Sequence, residues 1–113
     1  VPHGLSNAML MPVVTEYSLP GATARYADCA KAMAMAKSAD SDTEAGIKLL
    51  DGLYQLSSDL SVPSPKVFGI AEQEYVNVTS TMAEQALASG SPNNNPRVPT
   101  IEEMVAIYVS LWE

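Results

Sequence analysis

The stretch SDTEAGIKLLDGLYQLSSDL, residues 41–60, decides the fold class. It opens with an S-x-x-E capping box, in which Ser41 caps a helix start and Glu44 returns the hydrogen bond. Leucines then recur at helical spacing, at Leu49, Leu53, Leu56 and Leu60. The pattern predicts an amphipathic helix whose broad apolar face must meet other helices.

Helical spacing continues on both sides of this stretch, with Pro, Gly, Ser and Asn gathered at the joints and no sustained alternation typical of strands. Beyond the stretch itself, we expect helices at residues 3–17, from 22 to about 36, at 72–89 and from a second capping box at 100–103 onward. The sequence therefore predicts an all-α fold, a bundle of about five helices in one domain over residues 1–113.

The first helix differs from the others because its middle, AMLMPVV at residues 8–14, is apolar on every side. A surface helix does not tolerate such a pattern, so we expect this helix to be buried. Pro12 removes a backbone hydrogen bond and should bend the helix, unless the helix ends just before it.

Three other helices carry apolar stripes that we expect to face the core. The stripe of the second helix consists of Tyr26, Cys29, Ala30 and Met33. Cys29 is therefore expected to be a reduced, buried small residue. The fourth and fifth helices have stripes at Ala71, Tyr75, Val78, Met82 and Ala86, and at Met104, Ile107, Tyr108 and Leu111.

Composition excludes several classes of function. Six Lys and Arg against 13 Asp and Glu give a net charge of −7. That charge repels phosphate backbones and anionic lipids, so we expect no nucleic acid and no membrane partner. The longest apolar run, residues 8–14, is far shorter than the ~20 residues of a membrane-spanning helix. The chain begins at Val1 and shows no secretory signal, so we expect a cytoplasmic location and a piece of a longer protein.

Few residues could carry chemistry. One His and one Cys cannot complete a metal cage of Cys and His ligands, so any metal site is incomplete or uses carboxylates. The six glycines form no phosphate-binding pattern. His3 is the one candidate ligand, because Gly4 behind it lets another group approach the backbone. A capping or surface role for His3 remains the alternative. The acidic pairs at the helix starts, Asp42 with Glu44 and Glu102 with Glu103, are typical of capping charges.

A family resemblance adds to this. VPHGLSNAMLMPVV, residues 1–14, resembles the stretch that follows the metal site in iron-containing alcohol dehydrogenases, with the pattern P-H-G-x-x-N-A-x-x-x-P. The resemblance continues in order through ARYA, LSVP, NPR and TIEEM, at residues 24–27, 60–63, 95–97 and 100–104. It covers essentially the whole chain.

The resemblance implies the C-terminal helical domain of a dehydroquinate-synthase-like fold, which packs against an N-terminal α/β domain that binds NAD or NADP. Members hold a divalent metal, usually ferrous iron and in some relatives zinc, with one Asp and three His. His3 matches the last of these histidines, and the other ligands would lie before Val1. The implied reaction is hydride transfer between a small alcohol or aldehyde and the nicotinamide.

The isolated segment is then expected to bind no cofactor tightly and to be inactive. A non-enzymatic helical module for oligomerisation or interaction is the alternative that composition leaves open. Without a partner domain, the apolar first helix would expose surface that a homodimer could cover.

Overall fold

The computed structural model describes all 113 residues, and every regular element in it is helical. The all-α prediction is confirmed. The helices are α1 (His3–Ser18), α2 (Thr23–Ala32), α3 (Asp42–Asp59), α4 (Pro65–Phe68), α5 (Glu72–Ala88) and α6 (Ile101–Ser110). Five of them are the predicted helices, and α4 is an additional single turn in the segment between α3 and α5. Two 3-10 turns, Leu19–Gly21 and Ser91–Asn94, complete the chain.

Local sequence signals set the ends of several helices. Both predicted capping boxes form: Ser41 accepts a hydrogen bond from the Glu44 amide, and Thr100 accepts one from the Glu103 amide. Helix α5 is followed by Gly90 in the left-handed conformation, φ 78°, which glycine adopts without strain. Side-chain caps and glycine stops therefore act where the sequence placed them.

Contacts divide the chain into two compact units, residues 1–62 and 63–113. In the first unit, α2 packs against α3, and α1 also packs on α3. Its buried core is a cluster of Ala27, Ala30, Ala45, Leu49 and Leu53. Three alanines at this contact let the two helices approach closely. Whether residues 1–113 form one domain remains a prediction.

In the second unit, α5 packs against α6. Helix α5 buries Tyr75, Thr79 and Ala83, and α6 buries Met104. The Tyr75 hydroxyl donates a hydrogen bond to the Tyr108 carbonyl, and its ring lies 5.5 Å from that of Trp112, centroid to centroid. An aromatic pair and one tyrosine hydrogen bond thus hold the end of α6 to α5.

The prediction that the first helix is buried is wrong for this chain. Helix α1 runs unbroken through Pro12, and only Pro12 and Ser18 are buried along its length. Met11 is 38% exposed, although its neighbours are apolar. The physical reason is that α3 covers one side of α1, and the first unit supplies no further helix for the other sides.

The predicted stripe of α2 is rotated by about one residue. Ala27 and Ala30 are fully buried, whereas Cys29 is exposed and Met33 is 50% exposed. The prediction of a buried cysteine is therefore wrong. Met33 lies beyond the end of α2, so helical spacing no longer fixes its direction.

The apolar faces of α3 and α5 are narrower than their sequences suggested. In α3, Leu49 and Leu53 are buried, but Leu60, beyond the helix end, is 68% exposed. In α5, Val78 is exposed, and Thr79 takes the buried position. The Thr79 hydroxyl donates to the Val76 carbonyl of the same helix, so this polar group is satisfied where it is buried. No helix in the chain combines the length and the apolarity needed to cross a bilayer.

Candidate metal site

His3 is the first residue of α1, and its side chain is exposed. Pro2 precedes it in an extended conformation, and its carbonyl accepts the Ser6 amide hydrogen bond that closes the first turn. A β-carbon built on Gly4 would meet nothing within 4 Å, so the surface beside His3 is open. The imidazole is therefore exposed at the start of α1.

Asn7 is the one side chain hydrogen-bonded to His3. Its amide nitrogen Nδ2 lies 3.2 Å from Nε2 of the ring, one helical turn further along α1. Residues four apart share a helix face, so the backbone itself brings the two side chains together. The sequence interpretation singled out His3 and overlooked Asn7, although the spacing of the two residues was visible in the predicted helix.

The chain offers a metal ion one candidate donor, the imidazole of His3. An imidazole nitrogen is a good ligand for ferrous iron and for zinc. Nowhere in the chain do three or more His, Cys, Asp or Glu side chains come together in an arrangement that could hold a metal ion. His3 thus fits as one member of a ligand set whose other members would come from elsewhere.

The carboxylates at the helix starts serve as caps. Glu44 accepts the Ser41 amide at 3.3 Å, and Glu103 accepts the Thr100 amide at 3.1 Å. These bonds confirm the capping interpretation of both residues. The guanidinium of Arg97 lies 3.5 Å from the carboxylate of Glu103, so the same residue also ties the preceding joint to α6.

The joint before α6 is further fixed by its own residues. The Asn95 side chain donates to the Arg97 carbonyl at 2.6 Å. Together with the Arg97–Glu103 ion pair, this bond links the NPR stretch to the first turn of α6. The contacts agree with the interpretation of that stretch as a joint that positions the last helix.

Helix α1, which carries His3, is anchored to α3 at its far end. The Tyr54 hydroxyl of α3 donates to the Glu16 carboxylate of α1 at 3.0 Å. Burial, followed by the hydrogen bond to the Glu16 carboxylate, raises the pKa of Tyr54, so its hydroxyl remains a donor. This bond and the apolar α1–α3 contact fix the direction in which α1 projects His3.

A protein-family match covers almost the whole chain. The sequence matches the family described as "Fe-containing alcohol dehydrogenase family, C-terminal" over residues 1–112. The chain therefore belongs to the iron-containing alcohol dehydrogenase family and corresponds to its C-terminal region.

Individual relatives support the same assignment. The chain is 29% identical over 113 residues to the NADPH-dependent butanol dehydrogenase of Clostridium saccharobutylicum, with 99% of the chain covered. It is 32% identical over 109 residues to the 1,3-propanediol dehydrogenase of Klebsiella pneumoniae, with 96% covered. A crystal structure of 1,3-propanediol oxidoreductase superposes with a TM-score of 0.86 at 30% identity over 98% of the chain.

The chain spans less than a third of the length of these relatives. It covers 29% of the butanol dehydrogenase, 27% of the propanediol dehydrogenase and 28% of the crystallised oxidoreductase. All three are enzymes by name, so nothing in these comparisons favours the alternative of a non-enzymatic helical module.

Proposed function

We propose that this chain is the C-terminal helical domain of an iron-dependent, NAD(P)-linked alcohol dehydrogenase or aldehyde reductase. In that enzyme it contributes one metal ligand, His3, and one wall of the cleft between two domains. The observation that carries the proposal is the exposed imidazole of His3 at the start of α1, within the P-H-G-x-x-N-A stretch of a chain that belongs to this family. Zinc in place of iron would fit the same nitrogen donor.

The role of His3 follows from its position. A neutral imidazole offers one nitrogen lone pair, and the first residue of an anchored helix offers it in a fixed direction. Held this way, the ring would supply one nitrogen donor to the metal, and ligands from the preceding part of the parent chain would supply the others. When bound, the metal supplies Lewis acidity that polarises the oxygen of an alcohol or aldehyde.

The partner of this domain is proposed to be the N-terminal α/β domain of the same parent chain, which would bind the nicotinamide cofactor. Support comes from α1, whose apolar side chains are only partly covered within the first unit, with Met11 38% exposed. A contiguous apolar surface on a folded protein is typical of a site that another protein surface covers. A homodimer is the second way to cover it, and a cytoplasmic location fits the proposed enzyme.

The sharpest test removes the proposed ligand from the full-length parent protein. His3→Ala is compared with wild type after reconstitution with ferrous iron under anaerobic conditions, and bound iron and NAD(P)-linked alcohol oxidation are both measured. We expect iron content and turnover to fall at least ~10-fold, because a first ligand is lost from a small set. Iron content and turnover equal to wild type would remove His3 from the metal site.

The control for this variant is Gln55→Ala on α3. Gln55 is exposed, and its side chain donates one hydrogen bond to Asp59, four positions on, at 2.7 Å. The variant therefore loses a bond like that between His3 and Asn7, but Gln55 is not a proposed metal ligand. Its iron content should equal that of wild type.

Two simpler observations test the place of this domain in the parent. The reading frame upstream of Val1 should encode a dinucleotide-binding domain with Asp and His metal ligands, and a start codon directly before Val1 would refute the proposal. This chain as the only protein should show no NAD(P)-linked alcohol oxidation. Measurable turnover by the chain alone would contradict the assignment of the other ligands to the preceding segment.

A further inference from the structure

The pair formed by His3 and Asn7 has a fixed polarity. The amide nitrogen of Asn7 is a donor only, and it lies 3.2 Å from Nε2 of His3. A ring nitrogen that receives a donated proton must offer its lone pair, so Nε2 is the acceptor. In a neutral imidazole the proton is then on the other nitrogen, Nδ1.

That tautomer has a chemical consequence for metal binding. A metal binds a neutral imidazole through its free lone pair, and the nitrogen that carries the proton is not available. In this arrangement Nε2 is the donor nitrogen and Nδ1 is blocked by its proton. Asn7 therefore selects which end of the ring can reach a metal, although it is not a ligand itself.

We propose that Asn7 is a positioning residue for His3: its amide donates to Nε2, holds the ring in the Nδ1–H tautomer and so keeps Nε2 free of a proton until a metal binds it. The inference rests on the proposed role of His3 as a metal ligand, and it adds the residue that orients that ligand. The Asn7 amide hydrogen-bonds to Nε2 in the metal-free protein and releases this nitrogen when a metal binds.

The helix makes this arrangement specific to residue 7. Positions 3 and 7 share one face of α1, whereas the Ser6 hydroxyl donates to the Pro2 carbonyl. Both members of the pair are exposed, so an incoming group can displace the amide without unpacking the helix. The ring nitrogen Nε2 thus has a defined hydrogen-bond partner in the metal-free protein, and an incoming group can replace that partner.

The test is the tautomer of His3, measured by the ring 15N chemical shifts of the metal-free chain at alkaline pH, where the neutral ring is observed. His3 is the only histidine of the 113 residues, so its signals need no assignment. We expect a larger fraction of the Nδ1–H form in wild type than in a variant without the Asn7 amide. In Asn7→Ala, the ratio of Nδ1–H to Nε2–H should fall about fivefold, the effect of losing one ordinary neutral hydrogen bond.

A second variant reverses the polarity of the bond. Asn7→Asp replaces the donor with a carboxylate that only accepts, so the proton should move to Nε2 and the Nε2–H form should dominate. Ser6→Ala is the matched control and should keep the wild-type ratio. Equal ratios in wild type and Asn7→Ala, or an unchanged ratio in Asn7→Asp, would overturn the inference.

Separate measurements distinguish the positioning role of Asn7 from effects on folding and on metal binding. If a variant of the chain loses its helical circular dichroism, the same ratio is measured in the metal-free full-length protein, with His3 signals identified by their loss in His3→Gln. If the ratio shifts as expected but His3→Ala leaves the iron content unchanged, the proposed metal role fails and the positioning of His3 stands. The opposite pattern of results refutes the positioning role alone.

Discussion

Helices α1 and α3 are of similar length and pack against each other, yet they bury very different surfaces. Helix α3 is amphipathic and buries Ala45, Gly46, Leu49 and Leu53 along one face. Helix α1 is apolar nearly all round and buries only Pro12 and Ser18. Apolar content alone therefore does not determine burial, because a side chain is buried only where the chain supplies something to cover it.

The difference separates two tasks within the first unit. Helix α3 stabilises the unit by covering α2 with one narrow face. Helix α1 carries His3 at one end and a partly exposed apolar surface along its length. We expect the stability of this chain to depend on α3 and the proposed enzymatic role to depend on α1, and variants can test that division from the strongest effect to the weakest.

The largest effect is expected from truncation of a buried leucine. Leu49 is 3% exposed, so Leu49→Ala should lower the free energy of unfolding by about 2–5 kcal/mol, the range for a buried leucine that leaves a cavity. Met11→Ala on α1 is the counterpart and should cost less than Leu49→Ala, about 1 kcal/mol, because Met11 is 38% exposed and its truncation leaves no closed cavity. Urea unfolding followed by circular dichroism measures both, and equal losses would contradict the comparison.

A smaller effect is expected from added bulk. A β-carbon on Gly46 of α3 would lie 3.0 Å from Cδ2 of Leu19, so Gly46→Leu should lower the free energy of unfolding by about 1–3 kcal/mol through overpacking. A β-carbon added at Gly4 on α1 meets nothing within 4 Å, so Gly4→Leu should leave the free energy of unfolding unchanged or slightly higher. Thermal unfolding of the two variants compares them, and a destabilised Gly4→Leu would show that α1 is more tightly packed than described.

The capping difference should give a loss of about 1 kcal/mol. Ser41 caps α3 through its side chain, whereas Pro2 at the start of α1 provides no side-chain cap. Ser41→Ala should therefore lower the free energy of unfolding by about 0.5–2 kcal/mol. Ser38→Ala, which changes an exposed serine of the preceding turn, is the control in the same urea titration. If both variants unfold at the wild-type midpoint, the cap contributes nothing to stability.

The smallest effect concerns pH. The hydrogen bond from Lys48 at 2.6 Å, followed by the one from the Lys37 amide, holds the pKa of Asp40 below its usual 3.8. Because the folded-state pKa is the lower one, this stabilisation is present above pH 3.8 and is lost as the pH falls through the folded-state value. Asp40→Asn should be less stable than wild type at neutral pH, and the difference should shrink below pH 3.8.

The control for the charge change is Asp51→Asn, an exposed carboxylate on α3. Midpoints of thermal unfolding at several pH values between neutral and acidic measure both variants. A difference between wild type and Asp40→Asn that stays constant down to strongly acidic pH would show that the Asp40 bonds do not provide the pH dependence.

Sequence reasoning succeeded where the cause is local. Capping boxes, proline and glycine stops and the 3.6-residue period act within a few residues, so the helix types and both caps were predictable. The sequence predicted less well which face of each helix is buried. The buried face of α2 uses Ala27 and Ala30 rather than Cys29, because the partner helix α3 selects small residues that allow close approach.

The site was predictable only in part, for a physical reason. His3 could be singled out because it is the only histidine and belongs to a recognisable motif. Asn7 required the side-chain geometry of a formed helix turn. The uncovered state of α1 could not be read from its own residues, since burial depends on what the rest of the fold supplies.

The alanine contact between α2 and α3 has a consequence for the order of folding. The two helices follow each other in sequence, separated by residues 33–41, so their contact closes a short loop and costs little chain entropy. Contacts between sequence neighbours form early, and the segments that open last keep their amide protons longest. In a hydrogen-exchange time course, the amides of Ala30 and Leu49 should be among the last in the first unit to take up deuterium, long after those of α1.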